Sequence, residues 1–381
     1  MRICETLVPC KTDSPTPRRG TMTGSLTSLL AAALFAGAIG IVHAQAPDID
    51  PVFLPSPVRT VSTMPANGDQ NPYGVAFVPN NFPTGSGPLK HGDILVSNFN
   101  NGQNQQGTGT TIVRVPAGGP PTVFFQGNAG LGLSTALGTL QHGFVVVGNA
   151  PTTDGTSATA QPGSLLVINN RGNLIQTITD TTIQYPWDMA LIDEGSRAIA
   201  FVTNALTGTV SRLNFQVSSN GLTLLSSKII ASGYVHRGDP VALFVAPTGL
   251  VYDAQRDLLY VASTGDNAVF AISDPITRTS EGGTGFIVYQ DDIHLHGALG
   301  LAAAPNGHLL VTNNDTVNPD PNQSSEIVEF TKGGRFVKEI SVDPSPGGSF
   351  GMAVNVKGDQ AIFAAVDDNT ASLIVWTLDL D

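Results

Sequence analysis

The feature that most constrains this chain is that it repeats itself. One phrase recurs: a small-residue turn, a short apolar strand, another turn, then a second apolar strand ending in a small residue, most often polar. A polar loop and a third strand follow. The units fall at 73–77, 93–98 and 111–115, at 131–137, 143–149 and 164–168, and at 187–191, 200–204 and 208–213. They recur at 248–252, 259–263 and 267–272, at 298–302, 309–313 and 326–330, and at 350–354, 361–365 and 372–376. The spacing is roughly 50 residues, long enough for one supersecondary unit that cannot bury its apolar face alone. A fourth strand follows in five units, at 122–125, 174–178, 222–230, 286–289 and 336–340.

Four strands per unit, repeated around an axis, predict an all-β fold: a six-bladed β-propeller of four-stranded antiparallel blades, which protects its edges by closing into a ring. The sixth unit ends after Leu378 without a fourth strand, while a spare strand, Val58–Ser62, precedes the first unit. The N-terminal strand is therefore expected to complete the last blade. Composition agrees. Charged residues are 13% of the chain against 42 Gly and 26 Pro, which suits many short strands joined by turns.

Residues 1–44 read as a signal peptide, with Arg18 and Arg19 before an apolar run over 26–42 and a small-residue cleavage site at Val42, His43 and Ala44. Residues 45–57 read as a Pro-rich linker, and 58–381 as a single propeller domain. Both cysteines, Cys4 and Cys10, precede the apolar run, so the mature chain is expected to carry no thiol chemistry. Removing the first 44 residues deletes four basic and two acidic side chains and takes the net charge from −12 to −14. Such a surface argues against nucleic acid as a partner, and no later apolar run is long enough to span a bilayer. The expected location is secreted or periplasmic.

Pro247 to Asp253 followed by Leu259 to Val269 resembles an NHL repeat, and Asn306 to Thr312 fits the same pattern. Phe201 to Asn204 with Thr209 and Val210 is similar to the sister Tyr-Val-Thr-Asn repeat. The resemblance spans about 58–381 and implies a relative of the gluconolactonase-like propellers. That superfamily contains lactonases, lyases and binding platforms. Its gluconolactonase-like branch holds a divalent metal with a Glu, Asn and Asp set at the mouth of the central channel. Here Asn71, Pro72, Tyr73 and Gly74 stand where the Glu is expected, and Asp188 beside Trp187 and Asp367 beside Val366 offer carboxylates.

In such a ring the ends of the second strands converge on one channel mouth. Those ends are Asn98, Asn149, Asn204, Ser263, Asn313 and Val366. The four carboxamides, with Trp187 and Asp188, form a candidate ligand-binding set. Their oxygens suit a hard cation such as calcium or the hydroxyls of a polyol; alternatively, each Asn caps a turn. Asp292, His294 and His296 alternate along an extended segment feeding the same face. With His236, Arg237 and Asp239 they are candidates for zinc or another first-row metal, or for a catalytic histidine; the alternative is a solvated surface pair. The oxygen-rich loop 313–322 lacks the spacing of a calcium loop and reads as a solvated insertion. The leading expectation is a platform that binds a small molecule or a protein at the channel mouth. A metal-dependent lactonase or lyase using the same mouth is the alternative, and a structural envelope component is a third class.

Overall fold

The computed structural model describes residues 52–55 and 59–380. The signal segment, its cleavage site, both cysteines, Val58 and most of the linker lie outside them. The described residues form six four-stranded antiparallel sheets, the blades of a β-propeller. Blade one is built from Gln70–Phe77, Ile94–Asn100, Thr111–Val115 and Thr122–Gln126, innermost strand first. Blade two follows with Leu133–Leu140, Phe144–Asn149, Ser164–Asn169 and Leu174–Ile178, and blade three with Pro186–Asp193, Arg197–Asn204, Thr209–Ser218 and Gly221–Ser232. Blade four uses Pro247–Asp253, Leu258–Ser263, Ala268–Ser273 and Phe286–Tyr289, and blade five Ala298–Ala303, Leu309–Asn313, Glu326–Phe330 and Phe336–Ser341.

The sixth blade takes three strands from the C-terminal end, Ser349–Lys357, Gln360–Asp367 and Ser372–Asp379. Its fourth is Arg59–Ser62. The register is antiparallel, with Arg59 opposite Val375 and Ser62 opposite Ser372, so the expected closing strand is present. The hydroxyl of Thr63 extends the seam by donating to Ala371 O at 2.9 Å.

Within the stretch read as a linker, Phe53 and Leu54 are buried. Glu329, fully enclosed on the third strand of blade five, accepts the Phe53 N–H at 2.9 Å and the Leu54 N–H at 2.9 Å. Asn306 Nδ2 and His308 Nδ1 lie 2.9 and 2.7 Å from the same carboxylate. Phe53 meets Phe363 edge-on at 5.8 Å. A buried carboxylate needs such a shell of donors, and here the chain's own N-terminal arm supplies part of it.

All six innermost strands carry a β-bulge against their second strand at the same point, between Pro72 and Val75 in blade one and between Ser349 and Met352 in blade six. The bulges sit where neighbouring innermost strands crowd the axis. A Cβ on Gly351 would lie 1.7 Å from Tyr73 O, so only glycine fits there. In blades one, three and five a hydroxyl on the second strand uses this geometry to join blades. Ser97 accepts from Gly74 N and donates to Ser134 O; Thr203 links Asp188 N to Thr248 O; Thr312 links Gly300 N to Phe350 O.

Candidate functional site

The mouth of the channel is where the innermost strands begin and the second strands end. Here the upper channel is filled by rings. Tyr73 stacks between Phe99 and Phe350, at 4.6 and 4.5 Å, and Trp187 leans on Tyr73 and Phe99 at 5.8 Å. Tyr185 and Phe244 complete the layer. Phe244 arrives on a two-stranded ribbon, Arg237–Asp239 paired with Leu243–Val245, whose strands of three residues are too short to show a period. Asp239 Oδ1 shapes its turn by accepting from Val241 N and Ala242 N.

Above this floor lies a cavity of about 190 Å³, bounded by blades one, five and six and the ribbon tip at Val241 and Ala242. Asn71, Asn100, Asn104, Gln106, Asn314, Asp368 and Asn369 line it, with Tyr73 and Phe350 beneath. With the Asn71 amide oriented to satisfy its neighbours, Nδ2 donates to Asp368 Oδ1 at 2.8 Å and Oδ1 accepts from Asn100 Nδ2 at 3.0 Å. Asn100 Nδ2 also donates to Asn104 Oδ1 at 2.7 Å. Burial, reinforced by the neighbouring Asp367 charge, pushes the Asp368 carboxyl up to about 7.

The carboxamides singled out in the sequence are placed differently. Asn98, Asn204 and Asn313 are fully buried and Asn149 nearly so. None lines the mouth cavity. Asn149, Asn204 and Asn313 accept the N–H of Gly132, Gln184 and His296 on the segment entering their own blade, at 2.9, 2.8 and 3.1 Å. Each also donates onto the third strand, Asn204 to Ser211 Oγ at 2.7 Å for example. They tie the incoming segment to the sheet. Strand pairing puts Asp367, opposite Ser349, in the sixth equivalent place rather than Val366. The mouth is lined one residue beyond this ring in Asn314 and Asp368, and two beyond it in Asn100 and Asn369.

Trp187 is part of the aromatic floor, and Asp188 points into the channel below it, in a cavity of about 90 Å³ among Val75, Leu137, Leu250, Leu301 and Met352. Its carboxyl accepts Met189 N at 2.7 Å and Leu250 N at 3.0 Å. Desolvation raises it to about 7 against the pull of those two donors.

The histidines disperse. His294 stacks on Phe336, 3.6 Å between ring centres, with Nδ1 3.1 Å from Glu339 Oε2. The ring of His296 is buried 3.5 Å from Asp320. Asp292 accepts from Asn267 Nδ2 at 3.3 Å, and the exposed His236 bonds Tyr234 O at 3.1 Å. Among the described residues no three His, Cys, Asp or Glu side chains gather as metal ligands. The 313–322 loop is only partly solvated: Asp315 is buried and accepts from Ser325 N at 2.9 Å and Gly347 N at 2.5 Å, tying blade five to blade six.

No protein-family model matches the chain. No curated protein matches it. Solved structures do. An α-L-arabinanase from Penicillium chrysogenum, complexed with arabinobiose, is 12% identical over 86% of this chain and 99% of its own, with a TM-score of 0.51. A catalytically inactive virginiamycin B lyase from Staphylococcus aureus, solved with quinupristin, is 13% identical over 84% and 99%, at 0.46. A nidogen/laminin complex is 16% identical over 72% and 87%, at 0.44. The likeness is one of fold. Among the described residues no helix is long and apolar enough to cross a membrane.

Proposed function

We propose that this chain is an exported β-propeller that binds a small, neutral, polyhydroxylated ligand at its channel mouth. The observation that supports this reading is the mouth cavity itself: carboxamides and one carboxyl around a floor of stacked rings. Carboxamides present donors and acceptors side by side, as hydroxyl groups do, and an aromatic face takes the apolar face of a ring-shaped ligand. No Lys or Arg lines the cavity, so an anion would find no counter-charge there. Calorimetry with glucose, arabinose, galactose and inositol tests this. Binding by one of them that drops at least tenfold in Asp368→Ala is the expected result, and no binding by any overturns it. Export rests on the N-terminal apolar run: the secreted protein should begin near Gln45, and intact Cys10 in that form, seen by mass spectrometry, would refute it.

A second reading, a calcium-dependent lactonase or lyase, is favoured by one feature. If the Asn71 amide turned its oxygen toward Asp368, then Asn71, Asn100 and Asp368 would present hard oxygen donors around one point. That set holds a single carboxylate, and the histidines that would suit zinc lie elsewhere. A rise in melting temperature with millimolar calcium, lost in Asp368→Asn, is what this reading requires.

A further inference from the structure

The wall of the mouth cavity on the blade-one side is a ridge made by residues 69–71 and 100–106, and it has two faces. Asn71, Asn100, Asn104 and Gln106 face the mouth. The residues between or beside them, Asp69, Asn101, Gln105 and Thr108, line a groove of about 530 Å³ on the far side, toward blade two. Gln126 and Thr153 form its opposite bank.

The ridge is tied down. Asn101 Oδ1 accepts from Gln103 N at 2.9 Å and Gln105 N at 3.1 Å. Thr152 fixes the ridge's end, donating from Oγ1 to Gln106 O at 2.6 Å and from N to Gly107 O at 2.8 Å. Gly107 has φ +67° and passes so close to Thr152 and the Tyr185 hydroxyl that a Cβ would lie 2.9 and 3.0 Å from them. Gln106 Nε2 reaches across to Val241 O at 2.6 Å. A wall held from both sides loses little freedom when a ligand is laid over it.

The two cavities share a chemistry. Each is lined by amides and a carboxyl, and neither has a basic side chain. We infer that the groove is a second subsite, and that the ligand is an unbranched neutral oligosaccharide lying across the ridge, one unit in the mouth and the next beyond it. The inference rests on the mouth reading above and adds chain length to it. With no basic side chain in either cavity a polyanionic polymer finds no counter-charge, and the lack of stacked rings in the groove makes its contacts hydrogen bonds to hydroxyls.

The test compares glucose, arabinose and galactose with their linear β-1,4-gluco-, α-1,5-arabino- and β-1,4-galacto-oligosaccharides of two and three units, by calorimetry on the full secreted protein. For the sugar that binds, affinity should rise about tenfold or more from one unit to three. Gln105→Ala and, separately, Gln126→Ala should remove most of that gain and leave the single unit's affinity unchanged. Gln126 is exposed at a blade edge, so its loss should not disturb folding; unchanged melting temperatures check this for both variants. Equal affinity for one unit and three, or a gain that survives both substitutions, overturns the second subsite while the mouth reading stands. Binding by no sugar of any length overturns both.

Discussion

Two kinds of asparagine stand within two residues of each other on this chain, and they should respond to mutation in opposite ways. Asn204→Leu strands the Gln184 N–H and takes away the amide donor that Ser211 Oγ accepts, and should destabilise the protein by about 1–3 kcal/mol, read by denaturant unfolding. Asn369→Ala, at an exposed position lining the mouth cavity, should leave stability nearly intact while weakening ligand binding. The sequence made the first kind conspicuous because it closes four of the six second strands. It hid the second kind, since Asn104 and Asn369 lie in loops where the repeat lapses and Asn71 stands at the start of an innermost strand, before the repeated phrase begins. The bulge adds one residue to five of the six innermost strands and two to that of blade two, and a one-residue change in register moves side chains to the other face. Asp188 and Asp368 make a prediction in pH. Both fold with carboxyls raised to about 7 from an ordinary value near 4, so between those limits the folded state holds more protons than the unfolded one. Their contribution is present below the unfolded value and is lost as pH rises through 7, at about 1.4 kcal/mol per pH unit for each group across the window. Asp368→Asn should flatten that slope by one group's share, in urea titrations between pH 4 and 8. Binding at the mouth should move the other way, strengthening as pH passes 7 because an ionised Asp368 is the better acceptor for hydroxyls.

At the scale of elements, the six blades were legible because each carries its own alternating strands and turns. The closing strand was legible because one blade lacked a strand and one strand lacked a blade. Val61→Pro, opposite Leu373, removes a ladder donor from that seam and should lower the melting temperature by several degrees and promote aggregation through the bared third strand. An unchanged melt would remove Arg59–Ser62 from its role. The docking of Phe53 and Leu54 was not legible, because two apolar residues among prolines carry no period. Their anchor is a glutamate in the middle of a strand, whose sequence neighbours are apolar. Glu329→Ala should release the arm, leave His308 without its carboxylate and lower stability by an amount comparable to the loss of a buried hydrogen-bonded group, about 1–3 kcal/mol. Faster hydrogen exchange at the Phe53 and Leu54 amides would report the release directly.

For the molecule as a whole, the ring joins residues 308 positions apart, Thr63 and Ala371, and this gives the fold an order in time. Among the described residues, the earliest strand belongs to the latest blade. Closing a loop of that length costs a flexible chain about 5 kcal/mol of entropy, a cost that blades one to five reduce by forming locally before the ends meet. Until the ends meet, Ser372–Asp379 has one bare edge and the N-terminal strand has no partner. A chain interrupted anywhere before Ser372 can build blades but cannot shut the ring, so only a polypeptide that extends through Ser372–Asp379 acquires the protection that closure gives against proteases and against its own copies. Moving the closing strand should separate the timing from the stability. A permuted chain that begins at Thr63 and carries residues 52–62 after Leu380 on a short glycine-rich turn should melt within a few degrees of the original. It should also refold faster, because the last seam becomes a hairpin.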